Sequence, residues 1–217
     1  MTDKITESPY QREAANEANR DLGDFPGVLS GSQGERILNK YEEAEDLKAQ
    51  NVRDPLTGAF NRRYFDAQTE ARLQSGRKFS LIMTDIDHFK SFNDAYGHKN
   101  GDRLLVEVIR TLSNHLRLAR PNGAKDFIAR YGGDEFAIVL ADVDKPELAK
   151  EIADNLRKLV AESKFKIDNN TNAVKTLSMG VAVSREFDNA DELVVRADKA
   201  LYQAKDIGRN RVELSKD

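Results

Sequence analysis

From residue 54 onward, apolar positions alternate between a period near 3.6 and a period of two, the marks of helix and strand. Residues 60–75 read as a helix, and "FSLIMTDID" (79–87) as a short buried strand. Over 101–117, Leu105, Ile109, Leu112 and Leu116 recur at helical spacing, with Leu104 and Val108 widening the apolar face. "FIARY" and "EFAIVL" are strands joined at Gly132-Gly133, a dipeptide suited to a tight two-residue turn because both glycines accept positive φ. Leu148, Ile152, Leu156 and Leu159 define another helix. "KFKI" and "VKTLSMGVAVS", separated by "DNNTNA", predict a second hairpin. Leu193, Ala197, Ala200, Leu201 and Ala204 make a last amphipathic helix before "RNRVEL". This succession predicts an α/β fold with a mixed, largely antiparallel central sheet flanked by helices.

The start of the chain follows another rule. Residues 1–34 hold few large apolar side chains, and Pro9, Gly23, Pro26, Gly27, Gly31 and Gly34 interrupt them. Such a segment buries too little surface to offset its ordering entropy and is expected to be a disordered tail. Residues 35–52 read as a helical linker with Ile37, Tyr41, Ala44 and Leu47 on a thin stripe. That stripe suits either packing on the domain or a dimerising coiled coil. Asp54-Pro55 and Gly58 end it and open a domain over 53–217.

Composition narrows the classes of function. Lys+Arg 34 against Asp+Glu 37 gives a net charge of −3, which argues against a general nucleic-acid coat. Without cysteine there are no disulfides, thiolate metal sites or cysteine nucleophiles. No apolar stretch approaches the roughly 20 residues of a membrane span, and "MTDKITESPY" is no signal peptide. The expectation is a soluble cytoplasmic protein with neither membrane nor nucleic acid as partner.

Candidate chemistry gathers at two places. Asp85 and Asp87 close the apolar strand, and period-two alternation puts them on one face. Opposed by Asp134 and Glu135 at a hairpin tip, they suit a hard cation, because Mg²⁺ needs only one or two carboxylates plus substrate phosphates. The competing reading makes Asp85 and Asp87 caps of the next helix. Gly132 and Gly133 make the turn and also let a ligand lie on bare backbone. Lys90, Lys205 and Arg209 are candidate phosphate partners, against the plainer reading as solvated surface. Asn93 and Asp102 suit a base edge or a helix cap. His98 by itself indicates neither catalysis nor metal binding.

"DPLTGAFNRR", "DIDHFKSFNDAYGHKNGD", "RYGGDEF", "LSMGVAV" and "ADKALYQAKDIGRNRV" together resemble the GGDEF family of diguanylate cyclases, in order and spacing, over about residues 52–214. The resemblance implies a fold like the palm of polymerases and nucleotidyl cyclases. It implies that Asp85, Asp134 and the Ile86 carbonyl bind Mg²⁺, two ions per active site, with Mn²⁺ as the substitute. It implies that Asn93 and Asp102 read guanine with His98 close by. Lys90, Lys205 and Arg209 would hold the triphosphate of GTP, helped by backbone N–H groups at His88 and Phe89. Asp134 would take the 3′-hydroxyl proton, with Lys90 and Glu135 in support and Gly132 and Gly133 under the nucleotide. The implied product is cyclic di-GMP, made by a homodimer from two GTP; the competing function is a silent GGDEF domain that binds nucleotide and signals. A regulatory protein is expected on the N-terminal tail. One departure stands out: "GAKD" puts Gly123 where the product-inhibition motif RxxD has arginine, leaving only Asp126. Weak feedback inhibition follows.

Overall fold

The structure is a computed structural model, and it describes residues 52–118, 126–167 and 171–216. The expected tail and all but the last residue of the expected linker lie outside the described residues.

The element order is β1 (Phe60–Asn61), α1 (Arg62–Gln74), β2 (Phe79–Ile86), α2 (Phe89–Tyr96), α3 (His98–Leu118), β3 (Phe127–Gly132), β4 (Glu135–Ala141), α4 (Pro146–Glu162), β5 (Phe165–Lys166), β6 (Asn172–Ala173), β7 (Leu177–Val183), α5 (Ala190–Asp206) and β8 (Val212–Leu214). The main sheet runs β1-β3-β4-β2-β7-β8. Its inner pairings, β3 with β4, β4 with β2 and β2 with β7, are antiparallel, while the edge strands β1 and β8 pair in parallel. This is the mixed, largely antiparallel sheet that the alternation predicts.

Strand β2 lies at the centre, and its period of two sends side chains into both layers. Phe79, Leu81 and Met83 join Phe65, Ala137, Val139, Leu193, Ala197 and Leu201 beneath α1 and α5. Ile82 and Ile86 join Phe136, Ile138, Met179 and the apolar faces of α2, α3 and α4. The stripe predicted for α3 is buried throughout, as is the stripe of α5. Helix α1 starts where the Asn61 side chain accepts the Tyr64 N–H at 3.0 Å. Helix α5 starts at a capping box in which Asn189 and Glu192 each accept the other's backbone N–H. Among the described residues, no helix is long and apolar enough to cross a membrane.

Four boundaries differ from the sequence expectation. Phe60 and Asn61 pair with Ala129 and Arg130 as a strand, so the first helix begins at Arg62. The buried face of α4 is Ala149, Ala153, Leu156 and Val160, while Leu148 is 43% exposed. Alanines bring that helix close to the sheet, which a reading weighted toward large side chains overlooks. "KFKI" pairs with Asn172-Ala173 in a separate two-stranded sheet, freeing β7 for the main sheet. Lastly, Gly132 is itself a ladder residue opposite Glu135, so the two-residue tip is Gly133-Asp134. A bulge between Arg130 and Gly132 makes that shift, and Gly133 alone of the pair takes positive φ, +45°.

Helix α5 lies on bare backbone. A Cβ at Gly180 in β7 would stand 2.1 Å from both the Ala197 carbonyl oxygen and the Leu201 nitrogen. Backbone atoms of a packed helix cannot turn aside as a side-chain end can. Gly180→Ala is therefore expected to cost about 3 kcal/mol of stability, checked by denaturant unfolding; an unchanged midpoint would show that α5 slides freely.

Candidate active site

The end of β2 brings charge into the sheet. Asp85 pairs across the ladder with Glu135 on one side and Ser178 on the other, which places these side chains on one face. Lys205, in the last turn of α5, reaches the Asp85 carboxylate at 2.8 Å. Burial pushes the Asp85 carboxyl above its ordinary value; Lys205 draws it back, and the negative charges of Asp134 and Glu135 push it up again. Asp198 on α5 is also pushed up, by burial and then by Glu135. The tip acids and the strand-end acid thus share one electrostatic site, with Lys205 as its nearest cation.

Among the described residues, no group of three or more His, Asp or Glu side chains is gathered closely enough to hold a metal alone. The donor set still fits a magnesium ion, which is ordinarily held by one or two carboxylates and completed by substrate oxygens and water. Burial first, and then the negative charges of Asp134 and Glu135, raise Asp85, and a divalent ion beside it would favour its ionised form. Ile86 closes the ladder opposite Leu177, with its side chain buried.

Asp87 belongs to the scaffold. It is 3% exposed and accepts from Thr176 Oγ1 at 2.6 Å, Ser178 Oγ at 2.7 Å and the Asn210 N–H at 3.0 Å. Its oxygens are taken up by these donors and it does not cap α2, whose N-cap is His88, which corrects the capping reading of the sequence. The carboxylate instead fastens the end of β2 to the start of β7 and to the loop after α5. On that loop Arg209 and Asn210 take positive φ, 62° and 45°. Such backbone costs about 1–3 kcal/mol per residue and persists only where neighbours impose it. Here the Arg209 N–H donates to the Ala204 carbonyl, and Arg157 donates to the Asn210 side chain at 2.6 Å.

Helix α2 begins at His88, which is left-handed with φ 57° and offers no side-chain cap. Its carbonyl accepts the Phe92 N–H and, at 3.2 Å, the Lys175 ammonium. The N-cap side chain thus leaves the first N–H groups of α2 open to another acceptor, the arrangement that favours phosphate. The side chains of His88 and Lys90 are exposed, and Phe89 is half-buried against the core. Asn93 is half-buried on the inner side of α2, and its Oδ1 is buried without a hydrogen-bond partner among the described residues. A buried orphan acceptor costs about 1–3 kcal/mol. His98 and Asp102 are exposed in the first turns of α3, and Arg209 is exposed beyond α5.

Thus the structure brings Asp85, Asp134, Glu135 and Lys205 together and aligns Phe89 and Asn93 on α2. Lys90, His98, Asp102 and Arg209 extend into solvent. Sequence reasoning missed Arg130. Its Nε donates to the Gly133 carbonyl at 2.9 Å, and its Nη1 lies 3.2 Å from both oxygens of Asp54. The tip is thereby clamped to the domain entry. Both residues stand in motifs that were legible, but nothing along the chain says that they touch. Asp126, retained from the product-inhibition motif, accepts the Ala141 N–H at 2.8 Å, while Gly123 lies outside the described residues.

The family model for "Diguanylate cyclase, GGDEF domain" matches residues 51–211, and the chain belongs to this GGDEF family. It is 36% identical over 178 residues to diguanylate cyclase VdcA of Vibrio cholerae, covering 81% of this chain and 50% of that protein. It is likewise 36% identical over 167 residues to diguanylate cyclase DosC of Escherichia coli, covering 75% of this chain and 35% of that protein. The chain thus spans half or less of the length of these two relatives. Among solved structures, the GGDEF domain of DgcB from Caulobacter crescentus in complex with c-di-GMP matches with TM-score 0.67 and 32% identity, over 77% of this chain and 94% of that one. SiaD from Pseudomonas aeruginosa, in complex with its activator SiaC, matches with TM-score 0.70 and 29% identity, over 94% and 76%. The fold is the palm-like α/β fold that the resemblance implied.

Two substitutions test the geometry. Asp87→Ala strands two hydroxyls and an amide and is expected to cost about 4 kcal/mol in denaturant unfolding; a loss within 1 kcal/mol, in round terms, would remove Asp87 from the scaffold. Lys205→Met tests the ion pair. Because the Asp85 pKa is raised, ionising it weakens the fold as pH climbs through that value, and Lys205 offsets the loss. The variant should be less stable than wild type by about 1 kcal/mol at neutral pH. The gap should close as pH falls through the Asp85 pKa, which lies above the ordinary 3.8. A gap independent of pH would contradict the pairing.

Proposed function

We propose that this chain is an active diguanylate cyclase domain, condensing two GTP into cyclic di-GMP. The observation that carries the reading is the convergence of Asp85, Asp134 and Glu135 at the sheet end, with Lys205 on Asp85. Asp85, Asp134 and the Ile86 carbonyl would hold magnesium, two ions with the nucleotide. When bound, these ions would neutralise phosphate charge and make the 3′-hydroxyl more acidic.

The chain's own residues do the positioning. Lys90, Lys205 and Arg209 grip the triphosphate with the N–H groups at His88 and Phe89, and the tip backbone at Gly132 and Gly133 lies beneath the nucleotide. Asn93 and Asp102 read the guanine edge, with His98 alongside. Asp134 accepts the 3′-hydroxyl proton, with Lys90 and Glu135 in support. The 3′-oxygen of one GTP bonds to the α-phosphorus of the other, the bond from that phosphorus to the bridging oxygen breaks, and pyrophosphate leaves. The reciprocal step releases a second pyrophosphate and closes the ring. Alignment is the larger part of such catalysis.

Each site holds one GTP, so two subunits must face each other. Segment 35–52 is the proposed dimerising element, and the chain's N-terminal region the proposed docking place for a regulator. That the related SiaD is known in complex with an activator supports such control. The engagement of Asp126 by Ala141 supports weak product inhibition by way of that residue.

The test is incubation of purified protein with GTP and Mg²⁺. Wild type should form cyclic di-GMP, and Asp134→Ala should lose about 100-fold or more in rate. GTP binding without product from wild type would leave a silent binding domain. Rate per subunit should also fall on dilution below the dimer dissociation constant; a constant rate would refute the two-subunit site.

A further inference from the structure

Helices α2 and α3 meet at a corner turned by Gly97, whose φ is 80°. The two are held there by the Gly101 N–H on the Gly97 carbonyl at 3.2 Å and by Asn100 Nδ2 on the Tyr96 carbonyl at 2.8 Å. Gly101 lies in the first turns of α3 and is buried. Alanine forms helix better than glycine, so a glycine here calls for a local reason. Its φ lies outside the left-handed region, which removes backbone conformation as that reason.

The reason is contact. A Cβ at position 101 would stand 1.8 Å from Asn93 Oδ1, 2.9 Å from Asn93 Cγ and 3.2 Å from Phe89 Cζ. The Asn93 amide therefore lies directly on the bare Cα. Phe89 can yield by a few tenths of an ångström, but Asn93 cannot: its short side chain must adopt another rotamer. The same amide oxygen is buried against this corner and has no donor among the described residues, although buried polar atoms ordinarily have one.

We infer that Gly101 is the positioning residue for base selection: its missing side chain seats the Asn93 amide, and any larger residue at 101 unseats it. This rests on the reading that Asn93 meets guanine. Gly101 is buried, and of the proposed triphosphate contacts only Phe89 nears it, through a ring 3.2 Å from a Cβ at 101 that can yield without moving its N–H. The inference therefore separates two quantities that ordinary damage to the fold would move together, preference for the base and affinity for the phosphates.

Binding is measured by calorimetry with Mg²⁺ and three probes: the α,β-methylene analogues of GTP and of ATP, which cannot release pyrophosphate, and inorganic tripolyphosphate. Wild type is expected to prefer the GTP analogue. Gly101→Ala should weaken that probe about tenfold, the worth of one or two hydrogen bonds, and leave the other two unchanged. In Asn93→Ala, which has no amide to displace, adding Gly101→Ala should change nothing further. Equal weakening of all three probes would overturn the inference, and so would an undiminished preference in Gly101→Ala or the same loss on the Asn93→Ala background. If Gly101→Ala does not fold, thermal melting decides: a folded Asn93→Ala/Gly101→Ala supports the steric seat, and an unfolded one overturns it. A wild type without base preference overturns the guanine reading itself, a result distinct from all of these.

Discussion

With both oxygens engaged by Thr176, Ser178 and the Asn210 backbone, the Asp87 carboxylate joins three segments that are far apart in the chain. Each carries part of the site. The end of β2 presents Asp85, the start of β7 follows the Lys175 that holds the His88 carbonyl, and the loop after α5 presents Arg209 in strained backbone. A buried carboxylate is stable only when such donors surround it, so the joint forms as a whole or not at all. The geometry of the sheet end follows from it.

Two glycines then set distances that no side chain could. At Gly180 the backbone of α5 rests on β7, which places Lys205 over the end of β2. At Gly101 the helix corner admits the Asn93 amide. Gly133 serves a different need, since it alone supplies the positive φ of the hairpin tip. Arg130 holds that tip by its carbonyl and anchors itself on Asp54. The Thr57 hydroxyl and amide and Arg130 together overcome burial and keep the Asp54 carboxyl below its ordinary value.

The scaffold gathers charge at one end of the sheet. Asp85, Asp134, Glu135 and Asp198 crowd negative charge at one end of the sheet, and Lys205 answers only part of it. Burial and mutual repulsion raise Asp85, which marks a place where further positive charge would be welcome. The proposed cyclase activity would use this excess, because divalent ions accompanying a nucleoside triphosphate would sit between its phosphates and these carboxylates.

Along the chain, element types were legible wherever the apolar period was strong: the buried stripes of α3 and α5 and the continuous core strand β2 need only local pattern to appear. The tip acids and Asp85 were legible because their residue types and order form motifs. Elsewhere, contact ruled. Leu148 was expected inside and is exposed, because the closeness of α4 to the sheet favoured Ala149 and Ala153. Asp87, read as a cation ligand or a cap, is a joint, because its partners lie about ninety or more positions away. The hairpin tip moved by one residue because a bulge near Tyr131 took up the extra position. The sequence by itself determined the alternation of strand and helix and the inventory of chemical groups, since both are written in local periodicity and residue type. Only the tertiary structure decided which carboxylate meets a lysine, which is buried as a joint, and which glycine carries a neighbour's amide, because these depend on distances between segments that no local pattern encodes.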